Sequence, residues 1–211
     1  MVSKNIFNLP NQLTTLRLLL AVVMFGFLHA EFYFTSMVLF IVAAGTDWLD
    51  GYFARKYGQV TTLGRILDPF ADKVIVCGTF IFLAAIPALT GALPPTDAAI
   101  SLPRWKWGLQ PWMVVVIVGR ELLVTALRSF LEDRGADFSA NWAGKWKMLL
   151  QCVAAVALLA YLWMAQRGAP PLWAYVTMAA ATWAAVLSTI YSGAIYVVVA
   201  ARLLRSMKLD R

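Results

Sequence analysis

Long apolar runs alternate with short polar connections along the whole of this chain. The runs lie at 18–29, 33–54, 69–90, 111–131, 148–166 and 172–203. A helix that crosses a bilayer needs roughly 20 consecutive apolar residues, and several of these runs reach that length. The pattern predicts an all-α polytopic membrane protein with six transmembrane helices. The first run is short for a span unless it starts near Leu13, with Arg17 snorkelling back to the headgroups. Ahead of it, "KNIFNLPNQLTTLR" mixes Ile6, Phe7, Leu9 and Leu13 with polar residues, which suits a short N-terminal helix lying on the membrane surface. The last run is longer than a bilayer requires and is expected to project beyond it. The connection from Ile86 to Pro111 carries five prolines and reads as an irregular loop resting on the interface. No internal repeat or separate soluble segment interrupts the pattern, so residues 1–211 are expected to form one membrane domain.

Composition agrees with this reading. The chain is 61% hydrophobic and 14% charged, where a soluble domain carries about 25% charged residues. Many tryptophans, including Trp48, Trp112, Trp146 and Trp173, fall near the ends of apolar runs, as in the aromatic belts of membrane interfaces. Cys77 and Cys152 each lie inside an apolar run and read as small hydrophobes. His29 lies at the far end of the first run and reads as interfacial. No cleavable leader is expected, because Lys4 is followed by a polar stretch rather than an apolar one.

Charge sets the expected orientation. Lys4, Arg55, Lys56, Arg65, Arg134, Lys145, Lys147, Arg202, Arg205, Lys208 and Arg211 fall on one set of connections, and only Arg104, Lys106 and Arg167 on the other. The positive-inside rule then places both termini and the 55–65 connection in the cytoplasm, in the cytoplasmic membrane of a cell. The net charge of +7 is accounted for by those segments and by attraction to anionic membrane lipids, so no nucleic-acid partner is expected.

One connection is dense in charge for so oily a chain: "DWLDGYFARKYGQVTTLGRILDPFADK", 47–73, which holds four aspartates and three glycines. Asp47 and Asp50 are three apart, and Asp68 and Asp72 four apart, so each pair shares one helix face. Gly51, Gly58 and Gly64 permit a tight turn between them. Four neighbouring carboxylates repel unless cations compensate them. An all-oxygen donor set favours Mg²⁺, Mn²⁺ or Ca²⁺ over zinc, and two such ions roughly 4 Å apart would clamp substrate phosphates. The plainer alternative pairs these acids with Arg55, Lys56, Arg65 and Lys73, and Asp68-Pro69 also reads as a helix N-cap followed by a first-turn proline.

The spacing D-x2-D-G-x2-A-R-x8-G-x3-D-x3-D in this stretch, with every fixed position filled, resembles the signature of the CDP-alcohol phosphatidyltransferases. The resemblance implies a six-helix membrane enzyme, usually a homodimer, that moves a phosphatidyl group from a CDP-linked lipid to an alcohol and releases CMP. It implies that Asp47, Asp50, Asp68 and Asp72 hold two divalent ions, Mg²⁺ or Mn²⁺, and that Asp72 is also the general base. It places Gly51, Ala54, Arg55 and Gly64 near the cytidine diphosphate, where small residues admit the nucleotide and arginine offers a planar donor fork. "PNQLTTLR", "GRELLVTALRSFLEDRG" (119–135) and "GKWKMLLQ" (144–151) resemble bacterial members of the family whose acceptor is glycerol 3-phosphate. That likeness implies contacts of Asn11 and Thr14 with the CDP-lipid, CDP-diacylglycerol.

The acceptor can also be argued from charge. Arg120, Glu121 and Arg128 interrupt an otherwise apolar run, where ionisable groups are costly and functional by default. With Arg65, Lys145 and Lys147 they would form a cationic pocket for a phosphate on the acceptor, which glycerol 3-phosphate carries and serine does not. The competing reading makes Arg120 and Arg128 buried partners of Glu121 or another acid, and the lysines mere followers of the positive-inside rule. A family member acting on inositol phosphate would need similar cations. A divalent-metal transporter is disfavoured because its acids would sit near the bilayer midplane within repeats, and an interaction scaffold would not need four phased carboxylates.

Overall fold

The computed structural model describes residues 9–57, 62–90, 107–132 and 142–209, with side chains except at 9–11, 13, 47–57, 62–69, 132, 142–143, 204 and 206–209. All regular structure among them is helical: α1 (Leu9–His29), α2 (Tyr33–Tyr57), α3 (Thr62–Ala84), α4 (Pro87–Thr90), α5 (Pro111–Glu132), α6 (Trp142–Ala165) and α7 (Leu172–Leu209). The six long helices coincide with the six apolar runs, and α4 is a single turn. Pro87 and Pro111 open α4 and α5, where the missing N–H is no loss.

Two boundaries differ from expectation. From residue 9 onward, the segment expected as a separate surface helix is the beginning of α1 itself. Pro10 falls in the first turn, where a helix tolerates it, and nothing after it breaks the run. Similarly, α3 starts at Thr62, so Asp68 and Pro69 lie inside it rather than capping it. Pro69 then removes one intrahelical hydrogen bond near the start of the helix without ending it.

The corner between α1 and α2 shows why so few residues suffice there. The Phe32 N–H donates to the Phe27 carbonyl at 2.9 Å and the Glu31 N–H to the Leu28 carbonyl at 3.2 Å. This is a Schellman closure, and it puts Glu31 at φ 62°. The Phe27 and Phe32 rings meet edge to face at 6.0 Å, supplying the apolar contact that accompanies such a closure. Gln166 Nε2 donates to the Glu31 carbonyl at 2.8 Å, tying this corner to the one after α6. In that second corner Gly168 adopts φ 146°, a conformation costly for any other residue, and the Arg167 guanidinium lies 4.2 Å from the Trp163 ring centroid.

The helices pack through one continuous core that includes Met24, Phe40, Phe80, Leu83, Met113, Ile117, Leu158 and Met178, all fully buried. Buried alanines at 43, 71, 154, 155, 174 and 185 let the backbones approach closely. At Gly78 a Cβ would collide with the Phe25 ring, so α1 and α3 touch there without room for a side chain. A smaller cluster of Val124, Leu131, Tyr196 and Ala200 joins α5 to α7.

The outside is as apolar as the inside. Val22, Val115, Leu122, Leu187 and Tyr191 are each more than half exposed. Meanwhile Thr14, Arg17, Lys147, Gln151, Thr189 and Ser192 are buried. A water-soluble protein does not expose apolar surface so continuously; a protein solvated by lipid does. Gly144–Ala165 of α6 and Leu172–Leu203 of α7 are long and apolar enough to cross a membrane, and Thr14–His29 and Tyr33–Thr46 are shorter apolar stretches. By contrast α3 carries Asp72 and Lys73 within its length, and α5 carries Arg120, Glu121 and Arg128. The chain is a membrane protein, and those charges have their own place inside it.

Candidate active site

That place is a cavity of about 370 Å³ enclosed by α3, α5, α6 and α7. Helical phase explains its lining. Asp72, Lys73, Val76 and Cys77 recur on one face of α3, and Arg120, Glu121, Val124, Thr125 and Arg128 on one face of α5. Gly144, Lys147, Met148 and Gln151 do the same on α6, with Lys145 at the rim and Tyr196 closing the α7 side. Among the described residues, five cationic side chains and two carboxylates, Asp72 and Glu121, line it.

Four of the expected acceptor-phosphate residues, Arg120, Arg128, Lys145 and Lys147, therefore meet in one cavity with Asp72. The paired reading of Arg120 also holds in part. Glu121 Oε1 accepts from Arg120 Nη1 at 3.2 Å and forms a second ion pair with Lys147 Nζ. That single carboxylate serves two of the cavity's cations, Arg120 and Lys147. Arg120 Nη2 donates to Ser192 Oγ of α7 at 2.6 Å, and its guanidinium lies 5.2 Å from the Tyr196 ring centroid. The Nε–H groups of Arg120 and Arg128 are buried without a hydrogen-bond partner among the described residues. Buried donors of this kind are expensive unless something accepts from them. Deeper in, Gln151 Nε2 donates to Thr189 Oγ1 at 3.0 Å, linking α6 to α7 below the cavity.

Asp72 has a partner the sequence reading did not assign. Arg17, expected to snorkel outward, is 1% exposed and donates from Nη1 to Asp72 Oδ1 at 2.6 Å, while Asp72 remains 31% exposed. Thr14, the expected CDP-lipid contact, is buried three residues before Arg17 on the same helix. The only clue in the sequence was a lone arginine inside "LTTLRLLL". Lys73, Cys77, Ser192 and Tyr196 were likewise not singled out for the site. Lys73 comes with its neighbour Asp72, but nothing local distinguishes Cys77, Ser192 or Tyr196, and helix packing brings them to it.

The remaining site residues are placed only by their helices. Asp47, Asp50, Gly51, Ala54 and Arg55 belong to the C-terminal half of α2, Gly64, Arg65 and Asp68 to the first turns of α3, and Asn11 to the first turn of α1. Their side chains lie outside the described residues. Among the described residues no three His, Cys, Asp or Glu side chains converge as a metal site. The donor set nevertheless fits a hard divalent ion in kind. All four candidates are carboxylates, and the described one, Asp72, keeps part of its surface open to the cavity.

A helical bundle with an apolar exterior and a cation-rich cavity beside Asp72 has the form of a membrane protein with a polar site for an anion. Comparison with known proteins identifies the family. Residues 7–191 match the CDP-alcohol phosphatidyltransferase family, and the chain belongs to it; it is a transferase of phospholipid biosynthesis. Among its relatives is the CDP-diacylglycerol–glycerol-3-phosphate 3-phosphatidyltransferase of Bacillus subtilis (strain 168), 36% identical over 169 residues, covering 72% of this chain and 77% of that protein. The protein of the same name from Haemophilus influenzae is 32% identical over 162 residues, 72% of this chain and 76% of the relative. An Arabidopsis thaliana relative named as form 2 of that enzyme is 32% identical over 166 residues, 75% of this chain and 67% of the relative.

Proposed function

We propose that this protein transfers the phosphatidyl group of CDP-diacylglycerol to glycerol 3-phosphate, giving phosphatidylglycerophosphate and CMP. The observation that carries the acceptor is the cavity beside Asp72, whose described lining gathers five cationic side chains, Arg120 and Arg128 with buried Nε–H groups among them, and so suits a phosphate. Its volume of about 370 Å³ lies within the range of small-ligand sites, about 300–1,000 Å³. The names of the relatives point the same way.

In this mechanism Arg120, Arg128, Lys145 and Lys147 hold the acceptor phosphate, with Arg65 as a further cation. Asp72 accepts the proton of the acceptor's 1-hydroxyl, its carboxylate oriented by Arg17. The hydroxyl oxygen bonds to the lipid-bearing phosphorus as the bond from that phosphorus to the bridging oxygen breaks, and CMP departs with that oxygen. Gly51, Ala54, Arg55, Gly64, Asn11 and Thr14 contact the CDP-lipid. Asp47, Asp50, Asp68 and Asp72 would hold two Mg²⁺ or Mn²⁺ ions, which supply positive charge against the diphosphate.

The same reading makes residues 1–211 one domain with six membrane-crossing helices, which works as a homodimer in the cytoplasmic membrane. Both termini and the site face the cytoplasm. The charge asymmetry of the connections supports that orientation, and the coincidence of six long helices with six apolar runs supports the spans.

The test is CMP release by the purified protein in detergent, given CDP-diacylglycerol and one of four acceptors: glycerol 3-phosphate, glycerol, serine or an inositol phosphate. Glycerol 3-phosphate should be strongly preferred. Equal turnover with glycerol or serine would show that the cavity cations do not select the acceptor. A preference for inositol phosphate would move the protein to another branch of the same family.

A further inference from the structure

Arg120 is held more tightly than a side chain that merely lends charge to a cavity. It is 9% exposed, and three positions of α7 surround it. Ser192 Oγ accepts from its Nη2 at 2.6 Å. The Tyr196 ring lies under its guanidinium at 5.2 Å. At Gly193 an added Cβ would sit 3.1 Å from its Cγ, so a side chain there would press on the arginine stem, which would have to yield by a few tenths of an ångström. These positions are i, i+1 and i+4 on one helix and form a continuous seat. On the far side, Glu121 accepts from Nη1 at 3.2 Å, while Nε–H has no partner among the described residues. An arginine with its fork fixed on two sides and a buried donor unspent is arranged to bind an anion.

We propose that Ser192, Gly193 and Tyr196 are positioning residues that seat Arg120 for the acceptor phosphate, so that α7 sets acceptor affinity through Arg120. The proposal rests on the reading of the cavity as the acceptor site. Its physical basis is preorganisation. A free arginine loses rotamer entropy when it is fixed, and here that loss is taken on folding rather than on binding. The seat also explains why α7 contributes contact surface to Arg120, while Arg128, Lys145 and Lys147 come from α5 and α6.

The experiment compares KM for glycerol 3-phosphate and for CDP-diacylglycerol in the purified protein and its variants. Arg120→Gln is the reference and should raise the acceptor KM by at least about ten-fold, as loss of a charged hydrogen-bonding group does. Ser192→Ala and Gly193→Ala should each raise it about five-fold or more through the lost or displaced hydrogen bond, with KM for the CDP-lipid within two-fold of the parent. Tyr196→Leu should raise it about three-fold, as loss of a cation–π contact does, and Tyr196→Phe, which keeps the ring face, should recover most of that loss. In the Arg120→Gln background, Ser192→Ala should add nothing further.

Failure of this inference is distinct from failure of the functional reading. If Arg120→Gln raises the acceptor KM while Ser192→Ala and Gly193→Ala leave it unchanged, the seat is refuted and the acceptor site stands. If the Ser192→Ala effect adds in full to that of Arg120→Gln, Ser192 acts elsewhere and the seat is again refuted. If Arg120→Gln leaves the acceptor KM unchanged, the cavity is not the acceptor site and both readings fall.

Discussion

The ion pair between Arg17 and Asp72 makes the sharpest prediction about stability and activity together. Replacing Arg17 by Met keeps an apolar stem of similar length in a fully buried position but removes the charge that faces Asp72. Breaking a fully buried pair costs about 3–5 kcal/mol, because the survivor is left as an uncompensated charge. An exposed pair is worth roughly 0–1 kcal/mol. Here one partner is 1% exposed and the other 31%, at 2.6 Å. Water can reach the carboxylate left without Arg17 but cannot solvate it fully, so about 2 kcal/mol is expected, within the range for hydrogen bonds to charged groups. For a chain of this size a loss of about 1 kcal/mol lowers the melting temperature by roughly 2–4 °C, so Arg17→Met should melt about 4–8 °C lower. The assay is thermal unfolding in detergent of the parent, Arg17→Met, Asp72→Asn and the double variant. The double-mutant cycle should return a coupling of about 1.5–2 kcal/mol. Activity should fall as well, by about ten-fold or more, because a misplaced reactive group alone can cost up to about a hundred-fold. Arg17→Lys, which keeps charge but not the planar fork, should lie between. A melting temperature within about 1 °C of the parent, or an additive cycle, would show that this contact holds neither α1 to α3 nor Asp72 in place.

Other outcomes can be stated more briefly. Activity should disappear with a chelator and return with Mg²⁺ or Mn²⁺, and Asp47→Ala or Asp68→Ala should abolish it while the far-ultraviolet spectrum stays helical; full turnover in metal-free buffer would remove the divalent-ion reading. A cysteine placed at Gln59 should resist an impermeant thiol reagent applied to intact cells and react after lysis, and labelling from outside would invert the orientation. At the α1–α2 corner, Glu31→Gly should raise the melting temperature by about 1–3 °C, since Gly avoids the left-handed strain at φ 62° but adds unfolded-chain entropy. A lower melting temperature would mean that the Glu31 side chain does more than occupy the turn.

Much of this molecule follows from residue order alone. Partitioning between lipid and water is a local property, so the six apolar runs located six long helices to within a few residues at most ends. Helical phase is also local, and Arg120 and Arg128, eight residues apart, fall close to one face of α5 whatever their neighbours. The spacing of the aspartates likewise carried the family. The errors have an equally physical origin. A hydropathy pattern cannot distinguish a helix lying on the membrane from the first turns of one entering it, because both alternate polar and apolar residues. Thus the pattern separates 9–17 from a helix that in fact begins at Leu9, and Asp68-Pro69 has the form of a cap although α3 begins at Thr62. Tertiary structure decided where each charge goes. Arg17 meets Asp72 across 55 positions of sequence, and Arg120 meets Ser192 across 72. Which face of α1 turns to α3, and which face of α7 to α5, depends on side-chain volumes summed over the whole bundle, such as the fit of Phe25 against Gly78. No short stretch of sequence holds that information, so the cations could be named from the chain while the seat that orients one of them could not.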